Sequence, residues 1–354
     1  MPAESPHAPQ TILITGGCGF IGSGFVQRCV GAGHRVVIAD YLHPQVHPDA
    51  SAVDALPDGV EHHRIDVTDA PAMDAIVRAT QPDTVVHLAA ETGTGQSLTE
   101  SSRHGRVNVV GTTNLLDACT RADHIPERIV LASSRAVYGE GAWRDEDDRS
   151  VFYPPQRSPL DLAAGRWDPP APSGGGATPL ANRAGHTEPR PTNIYAATKL
   201  AQEHLIMAWC TAMQSSARLL RLQNVYGPGQ SPSNSYTGVL TYFAVRANAG
   251  ETIAIYEDGD IGRDFVFVDD VVDELMAATT ATGNDLCDVG SGVRSTIEQA
   301  AQIIAIAAGA PTPEITGEYR LGDVRSAWAD GVPARQRTPL EVGLRRLVEH
   351  LSQR

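Results

Sequence analysis

The sequence predicts an α/β fold in which a doubly wound parallel sheet is followed by a smaller carboxyl-terminal cap. Short apolar runs alternate with helical periodicity through residues 1–224, a pattern typical of a parallel sheet covered by helices on both faces. Glycines spaced three apart join the first apolar run to the first helix. The alternation then loosens, so we expect residues 225–354 to form mainly the substrate-binding cap, with some segments returning to the sheet.

The first motif is T-I-L-I-T-G-G-C-G-F-I-G, residues 11–22. Its glycines suit a dinucleotide: Gly16 permits a tight turn, Gly19 lets the backbone approach a pyrophosphate, and Gly22 lets the helix pack closely on the strand. The helix that follows offers unpaired N–H groups, around Phe20 and Ile21, to the phosphates. The motif therefore predicts a Rossmann-type sheet with a dinucleotide site.

Acidic residues at two further strand ends extend this site. The strand Arg35–Ala39 ends at Asp40, roughly 20 residues after the glycines, where a carboxylate can bind the adenosine ribose. Asp40 would repel a 2′-phosphate, which favours NAD over NADP. The strand 61–65 ends at Asp66 and Val67, and Asp66 either meets the adenine amino group or forms the turn before the next helix.

The remaining elements follow from periodicity. Asn108 lies among apolar residues of a helix, where it is either a polar anchor in the core or a brace for the active-site backbone. The other predicted strands are 11–14, 84–88, 128–132, 218–222, 252–256, 263–268 and 287–290, and the predicted helices are 23–29, 70–80, 235–249, 271–279 and 297–308.

One helix carries a candidate acid–base pair. Tyr195 and Lys199 are four residues apart in Y-A-A-T-K, so both side chains project from the same helix face. A phenol has an ordinary pKa near ~10, too high for a base at neutral pH. A lysine ammonium one turn away favours the phenolate, as does a cationic nicotinamide ring.

Composition narrows the class of protein. The chain has 354 residues, 42% of them hydrophobic, and a formal net charge of −14, which argues against nucleic acid or an anionic membrane as a partner. The five scattered cysteines indicate a reduced, cytoplasmic protein without disulfides. No apolar signal segment or membrane-length run is present. We expect no metal site. Four histidines show no regular ligand spacing and are expected to be solvated: His43, His47, His62 and His63.

Residues 140–190 interrupt the pattern with a long segment rich in Pro, Gly, Asp and Arg. Segments of this length are functional lids or disordered inserts. Four aromatic residues offer apolar anchors, which favours a partly ordered lid: Trp143, Phe152, Tyr153 and Trp167.

Six motifs in order resemble one family. They are T-G-G-C-G-F-I-G (15–22), H-L-A-A (87–90), S-S-R-A-V-Y-G (133–139), Y-A-A-T-K (195–199), N-V-Y-G-P-G (224–229) and G-R-D-F-V-F-V-D-D-V (262–271). The chain thereby resembles the extended short-chain dehydrogenases/reductases, and within them the NAD-dependent nucleotide-sugar epimerases and dehydratases. The pattern P-S-N-S-Y-T-G-V-L (232–240) is most similar to bacterial nucleotide-sugar 4-epimerases, the dTDP-rhamnose 4-epimerase group included.

The resemblance implies roles for individual residues. Ser134, Tyr195 and Lys199 would be catalytic, with Lys199 also bonding the nicotinamide ribose. Leu88, Ala89, Ala90 and Asn108 would join the glycines, Asp40, Asp66 and Val67 in binding NAD. Substrate contacts are expected from Thr92, Thr94, Gln96, Ser134, Arg135, Asn224, Tyr236, Arg263, Arg320 and Asp323.

Three of these substrate assignments carry alternatives. Arg263 and Arg320 would bind the diphosphate of the nucleotide sugar, and the alternative for each is a surface salt bridge. Arg135 either pairs with an acid of the 140–190 segment or contacts the sugar.

The residues after Ser134 indicate the reaction. In the family's 4,6-dehydratases these two positions carry Asp and Glu, whereas this chain has Arg135 and Ala136. Without those acid–base groups, the resemblance implies 4-epimerisation of a dTDP- or UDP-linked hexose through a transient 4-keto sugar. The alternatives are a 4,6-dehydratase, a 4-reductase or a catalytically silent nucleotide-binding regulator. The family habit also implies a homodimer.

Overall fold

The computed structural model describes residues 8–47, 51–232, 238–332 and 337–353. The strands in chain order are β1 Thr11–Thr15, β2 Arg35–Ala39, β3 Glu61–His63, β4 Thr84–His87, β5 Arg128–Ser134, β6 Trp143–Asp145, β7 Val151–Phe152, β8 Ala177–Pro179, β9 Ser216–Leu222, β10 Asn224–Tyr226, β11 Ala254–Ile255, β12 Gly262–Arg263, β13 Phe265–Phe267, β14 Asp285–Val289, β15 Ser295–Thr296, β16 Glu314–Ile315 and β17 Ser326–Ala327. The helices are α1 Phe20–Gly31, α2 Ser51–Asp54, α3 Ala70–Thr80, α4 Gln96–Thr99, α5 Ser101–His104, α6 Gly111–Arg121, α7 Pro159–Ala163, α8 Ile194–Met213, α9 Val239–Asn248, α10 Val268–Ala278, α11 Ile297–Ala308 and α12 Leu340–Ser352.

The main sheet has seven strands in the order β14-β9-β5-β4-β1-β2-β3, and every neighbouring pair is parallel. Successive residues of β1 point to opposite faces, as a strand requires. Ile12 and Ile14 pack with α1 and α10, and Leu13 packs with α3, α6 and α8. The sheet is therefore buried on both sides, and the predicted doubly wound α/β fold is confirmed.

The smaller region is built on its own apolar core. Helices α9, α11 and α12 pack around short strands that include the parallel pair β10-β13. The predicted boundary between residues 224 and 225 falls inside β10, and β14 returns from this region to the edge of the main sheet. Within the described ranges, no helix is long and apolar enough to span a membrane.

Most elements appear where periodicity places them, and the differences lie at their ends. Helices α3 and α11 have the predicted bounds, whereas α1 begins at Phe20 rather than Ser23, because Gly19 serves as its N-cap. Predicted helix 235–249 begins at Val239 in the described part, and its residues 235–237 lie outside that part. Helix α12 was not predicted; it buries Leu344, Leu347 and Val348 against the cap.

The segment 140–190 is ordered. Strands β6, β7 and β8 form a small antiparallel sheet, and Trp143 within it is completely buried. Arg157 anchors the segment on the cap through a buried bidentate ion pair with Glu257, at 2.8 and 2.9 Å. The structure thus supports the ordered alternative. The segment nevertheless does not line the main cleft; it borders a separate cavity of about 350 Å³ with Tyr138 and Thr192.

A matched pair of glycine substitutions on α1 tests the packing at the head of the sheet. A Cβ added to Gly22 would lie 2.5 Å from the carbonyl oxygen of Gly16 and 2.7 Å from that of Gly17, whereas one added to Gly31 meets nothing within 4 Å. Because the backbone atoms that the added Cβ meets cannot move aside without strain, we expect Gly22→Ala to lower the free energy of unfolding by ~1–3 kcal/mol. Gly31→Ala should raise it by up to ~1 kcal/mol through helix propensity. Urea denaturation checks both; equal stability of the two variants would contradict the packing argument.

Candidate active site

The carboxyl ends of the central strands open into a cleft of about 900 Å³. Strand order reverses between β1 and β4, which is where open α/β sheets bind ligands. The cleft brings together most of the predicted site residues: Gly16, Gly19, Phe20, Ile21, Gly22, Asp40, Asp66, Val67, Leu88, Ala89, Ala90, Thr92, Thr94, Ser134, Arg135, Tyr195, Lys199 and Asn224.

The glycine turn leaves its backbone open to the cleft. Gly16 has a φ of 72°, and a Cβ there would lie 2.7 Å from the amide nitrogen of Ala89. Gly19 caps α1 without any side-chain hydrogen bond, so the first N–H groups of the helix stay unpaired by a cap. These features fit a dinucleotide diphosphate, which needs close backbone approach and free N–H donors.

Two carboxylates, Asp40 and Asp66, line the cleft near the glycine turn. Asp40 accepts hydrogen bonds from the amides of Cys18 and Leu42, each at 2.9 Å, so it also holds the glycine turn in place. Asp66 accepts from the amide of Thr68 at 2.8 Å. Asp66 therefore forms the predicted turn before α3. It also lines the cleft, and its contact with adenine stays a prediction.

Ser134, Tyr195 and Lys199 come together from two elements. Ser134 ends β5, and its hydroxyl accepts a hydrogen bond from the amide of Ala136 at 3.2 Å. Tyr195 and Lys199 project from α8, whose amino terminus is capped by the Asn193 side chain. The Ser134 hydroxyl lies near enough to Tyr195 to favour its ionised form. Ser134, Tyr195 and Lys199 therefore all line the cleft.

Burial pushes both Tyr195 and Lys199 towards their neutral forms. It raises the pKa of Tyr195, which is partly offset by the hydrogen bond from Ser134 and by the positive charge of Arg135. Burial also lowers the pKa of Lys199 to about 7, against the opposing effect of the Glu203 carboxylate. The positive charge of Arg135 favours the ionised form of Tyr195. The support of the phenolate by Lys199 stays a prediction.

Asn108 lies in a turn of π-helix, residues 105–110, that no sequence pattern indicated. Its side chain is completely buried, accepts from the Glu91 amide at 2.8 Å, and donates to the Glu91 carbonyl and the Thr198 hydroxyl. It lies behind the cleft wall, which favours a brace for the backbone over direct contact with a cofactor. Gln96 is likewise buried and bonded to Gln45 and Glu100 rather than lining the cleft.

Sequence reasoning missed a polar cluster around Arg103. Arg103 forms ion pairs with Glu91 at 2.7 Å and Glu100 at 2.8 Å, and lies 3.3 Å from the ring of His43. The sequence predicted solvated histidines. His43 and His47 instead line the cleft and are half-buried. In the described part of the chain, no group of three or more His, Cys, Asp or Glu side chains is placed to hold a metal ion.

The predicted substrate residues do not all lie together: Asn224 lines the cleft and Arg263 is buried, whereas Arg320 lies at the surface. Asn224 lines the cleft, and Arg263 lies buried near Arg135, with Asp323 interacting electrostatically with both arginines. Arg320 is exposed and stacks on the ring of Tyr256, 5.4 Å from its centroid. Within the described ranges neither Arg263 nor Arg320 forms the surface salt bridge considered as an alternative. Tyr236 lies outside the described residues.

Comparison with known proteins agrees with this geometry. Residues 12–162 and 171–289 match the NAD-dependent epimerase/dehydratase family. A dTDP-L-rhamnose 4-epimerase of Burkholderia thailandensis is 50% identical over 90% of this chain and 87% of the relative, and a UDP-glucose 4-epimerase of Mycolicibacterium smegmatis is 30% identical over 92% and 91%.

Solved structures of similar proteins cover nearly the whole chain. The UDP-glucose 4-epimerase of Thermotoga maritima with UDP-glucose matches with a TM-score of 0.77 at 26% identity, covering 97% of this chain and 99% of that one. The Thermus thermophilus UDP-glucose 4-epimerase in complex with NAD matches with a TM-score of 0.75 at 27% identity, covering 96% and 98%. The six motifs, the sheet and these likenesses agree, and the chain belongs to the NAD-dependent epimerase/dehydratase family.

Proposed function

We propose that this protein catalyses NAD-dependent epimerisation at C4 of a nucleotide-diphosphate sugar, with dTDP-L-rhamnose as the first substrate to test. The 50% identity to a dTDP-L-rhamnose 4-epimerase supports this choice of nucleotide and sugar. Ser134, Tyr195 and Lys199 support the reaction class, because a regulator that only binds a nucleotide has no need of all three. A homodimer, which the family resemblance implies, stays a prediction.

The cleft suits NAD along its length. The open glycine turn and the uncapped start of α1 would hold the diphosphate, and Asp40 would hold the adenosine ribose. The carboxylate of Asp40 disfavours the extra phosphate of NADP through like-charge repulsion. When bound, NAD supplies the reversible hydride acceptor for C4 of the sugar.

The chain itself handles the proton of the sugar's C4 hydroxyl. Ser134 orients that hydroxyl by a hydrogen bond, and Tyr195, as phenolate, takes its proton while the C4 carbon is oxidised. When C4 is reduced on its other face, Tyr195 returns the proton to the C4 oxygen, so the protein ends the cycle unchanged. Lys199 would hold the cofactor ribose and add positive charge on the same helix.

The observation that carries the choice of epimerase is the absence of a free carboxylate beside Ser134. Elimination across C5 and C6 needs an acid and a base there, and the adjacent residues are Arg135 and Ala136. Among the described residues that line the cleft, the carboxylates are Asp40, Asp66 and Glu91. The first two hold backbone amides, and Glu91 is ion-paired with Arg103 at 2.7 Å.

The substrate's diphosphate would lie towards Asn224 and Arg263. Arg263 is almost fully buried, and its guanidinium donates only to the carbonyl of Gly262 within the described structure, at 2.7 Å. A buried guanidinium with donors to spare suits a phosphate. Arg320, stacked on Tyr256 at the surface, is a weaker candidate for this contact.

Replacing Tyr195 with phenylalanine tests the proton-transfer role. The ring remains but the hydroxyl is lost, so turnover should fall at least ~10²-fold, the scale of a general base. Binding of the nucleotide sugar, measured by calorimetry, should change little. Tyr242→Phe is the matched control, because Tyr242 is exposed on α9 and should leave turnover unchanged. A Tyr195→Phe enzyme with near-normal turnover would refute this mechanism.

The fate of the sugar hydrogens separates epimerase from dehydratase. In heavy water, with a panel of dTDP- and UDP-sugars followed by NMR, we expect the true substrate to change configuration at C4 only. Its C4 hydrogen should be retained and C5 should stay unlabelled, because no C–H proton is removed to solvent.

Trace label from slow exchange of a keto sugar would be compatible with this result. Stoichiometric deuterium at C5, or accumulation of a 4-keto-6-deoxy sugar, would instead show that a base acts there. Glu91 and the buried Glu140 would then be the residues to replace, each by glutamine. Net consumption of reduced cofactor would indicate the 4-reductase alternative.

A further inference from the structure

Two loops flank the glycine turn at the head of the cleft. Strand β1, which ends in that turn, lies between β2 and β4 in the main sheet. The loop 41–47 comes after β2 and the loop 88–95 follows β4, and residues of both loops line the cleft. A diphosphate held at the glycine turn would therefore lie between these two loops.

The two loops are joined by a reciprocal pair of side-chain amides. Gln45 donates from Nε2 to Oε1 of Gln96 at 3.1 Å, and Gln96 donates from Nε2 to Oε1 of Gln45 at 3.2 Å. Gln96 begins α4, directly after the second loop, and its side chain is buried. Both glutamines lie outside the set of described residues that line the cleft. The amide pair therefore joins the loops without itself facing a bound ligand.

Arg103 adds charge to this junction. Its Nη2 donates to Oε1 of Gln45 at 3.3 Å, and its guanidinium forms ion pairs with Glu91 at 2.7 Å and with Glu100 at 2.8 Å. Glu100 also accepts from Nε2 of Gln96, at 2.8 Å. Hydrogen bonds to charged, partly buried partners are stronger than those between exposed neutral groups. The junction is therefore a connected network rather than a single contact.

The loop 41–47 is also ordered by its own hydrogen bonds. At its start, Asp40 accepts from the amide of Leu42 at 2.9 Å. Further along, the amide of His47 donates to the carbonyl of His43 at 2.8 Å. The loop is thus a short hydrogen-bonded unit, and Gln45 carries three of its bonds to the opposite wall.

We propose that the loop 41–47 is a strap that closes the cofactor cleft, and that Gln45 and Gln96 are the positioning residues that keep it closed over NAD. NAD leaves the cleft only when the amide pair opens. Retention of this kind suits a reaction that regenerates NAD at every turnover, because the cofactor then has no need to exchange. The inference concerns the NAD site and not the sugar, so it does not rest on the proposed epimerase activity.

The rate of NAD release tests the proposal directly. The protein is loaded with radiolabelled NAD and chased with an excess of unlabelled NAD, and the label that stays bound is followed in time. Gln45→Ala removes three hydrogen bonds, so the dissociation rate should rise ~10–100-fold. Gln96→Ala should act in the same direction. Gln302→Ala is the matched control and should change nothing, because Gln302 is exposed on α11.

The double variant shows whether the two glutamines act as one contact. Gln45→Ala combined with Gln96→Ala should release NAD no more than ~2–3-fold faster than Gln45→Ala alone, because the second substitution removes a bond that is already lost. The urea midpoint of NAD-free Gln45→Ala should stay close to that of the wild type, since Gln45 is half-buried in a loop outside the apolar cores. A merely structural role would lower that midpoint.

Turnover gives a further readout. At saturating NAD, Gln45→Ala should turn over at the rate of the wild type, because Gln45 does not line the cleft. After gel filtration has removed free NAD, the variant should lose activity and regain it when NAD is added, whereas the wild type should keep its activity.

Three outcomes would overturn the proposal. They are an unchanged dissociation rate in Gln45→Ala, a double variant whose effect is the product of the two single effects, and faster release that appears only with a lowered urea midpoint. The release assay uses no sugar, so a failure of the proposed epimerase activity would leave its result intact. A failed release assay would equally leave the epimerase activity intact.

Discussion

A buried ion pair between Glu203 and Arg221 holds the helix of Tyr195 and Lys199 in register with the central strands of the sheet. Arg221 of β9 donates to both carboxylate oxygens of Glu203, at 3.0 and 2.7 Å, and Ser133 donates to the same carboxylate at 2.5 Å. Glu203 follows Lys199 by one turn of α8, and Ser133 precedes Ser134 on β5. One carboxylate therefore ties the helix that carries the acid–base pair to the strand that carries the serine. Breaking such a pair leaves a buried charge and costs ~3–5 kcal/mol.

This packing has an electrostatic consequence. A dry site strengthens every charge interaction but also penalises ionisation, so the phenol becomes a weaker acid and the ammonium a stronger one. Tyr195 and Lys199 both show this effect. The positive charge of Arg135, which lines the same cleft, opposes the effect of burial on the pKa of Tyr195.

The cap and the 140–190 segment are joined by charges rather than by apolar contact alone. Arg157 and Arg325 both reach the buried carboxylate of Glu257, and Arg325 also pairs with Asp258 at 2.7 Å. Paired, hydrogen-bonded charges of this kind specify one docking geometry even where they add little net stability. The network also includes Glu140, which accepts a hydrogen bond from the amide of Arg325 at 2.9 Å and lies 3.5 Å from the guanidinium of Arg157.

The sequence alone determined the features that depend on neighbouring residues. The glycine turn, the alternation of strand and helix, Asp40 at a strand end and the Tyr195–Lys199 pair all follow from local spacing. The parallel sheet then brings these strand ends together, which is why most cofactor-side predictions fall in one cleft.

Only the tertiary structure decided what depends on distant partners. The contact of Arg103 with His43 spans 60 residues, and the surroundings of Asn108 depend on a π-helical turn. Arg320 stacks on Tyr256 at the surface, although the family resemblance implied a phosphate ligand. No spacing in one dimension encodes such contacts, because packing, and not periodicity, selects which polar groups meet. The pKa shifts of Tyr195 and Lys199 were hidden for the same reason, because burial exists only once the chain has folded.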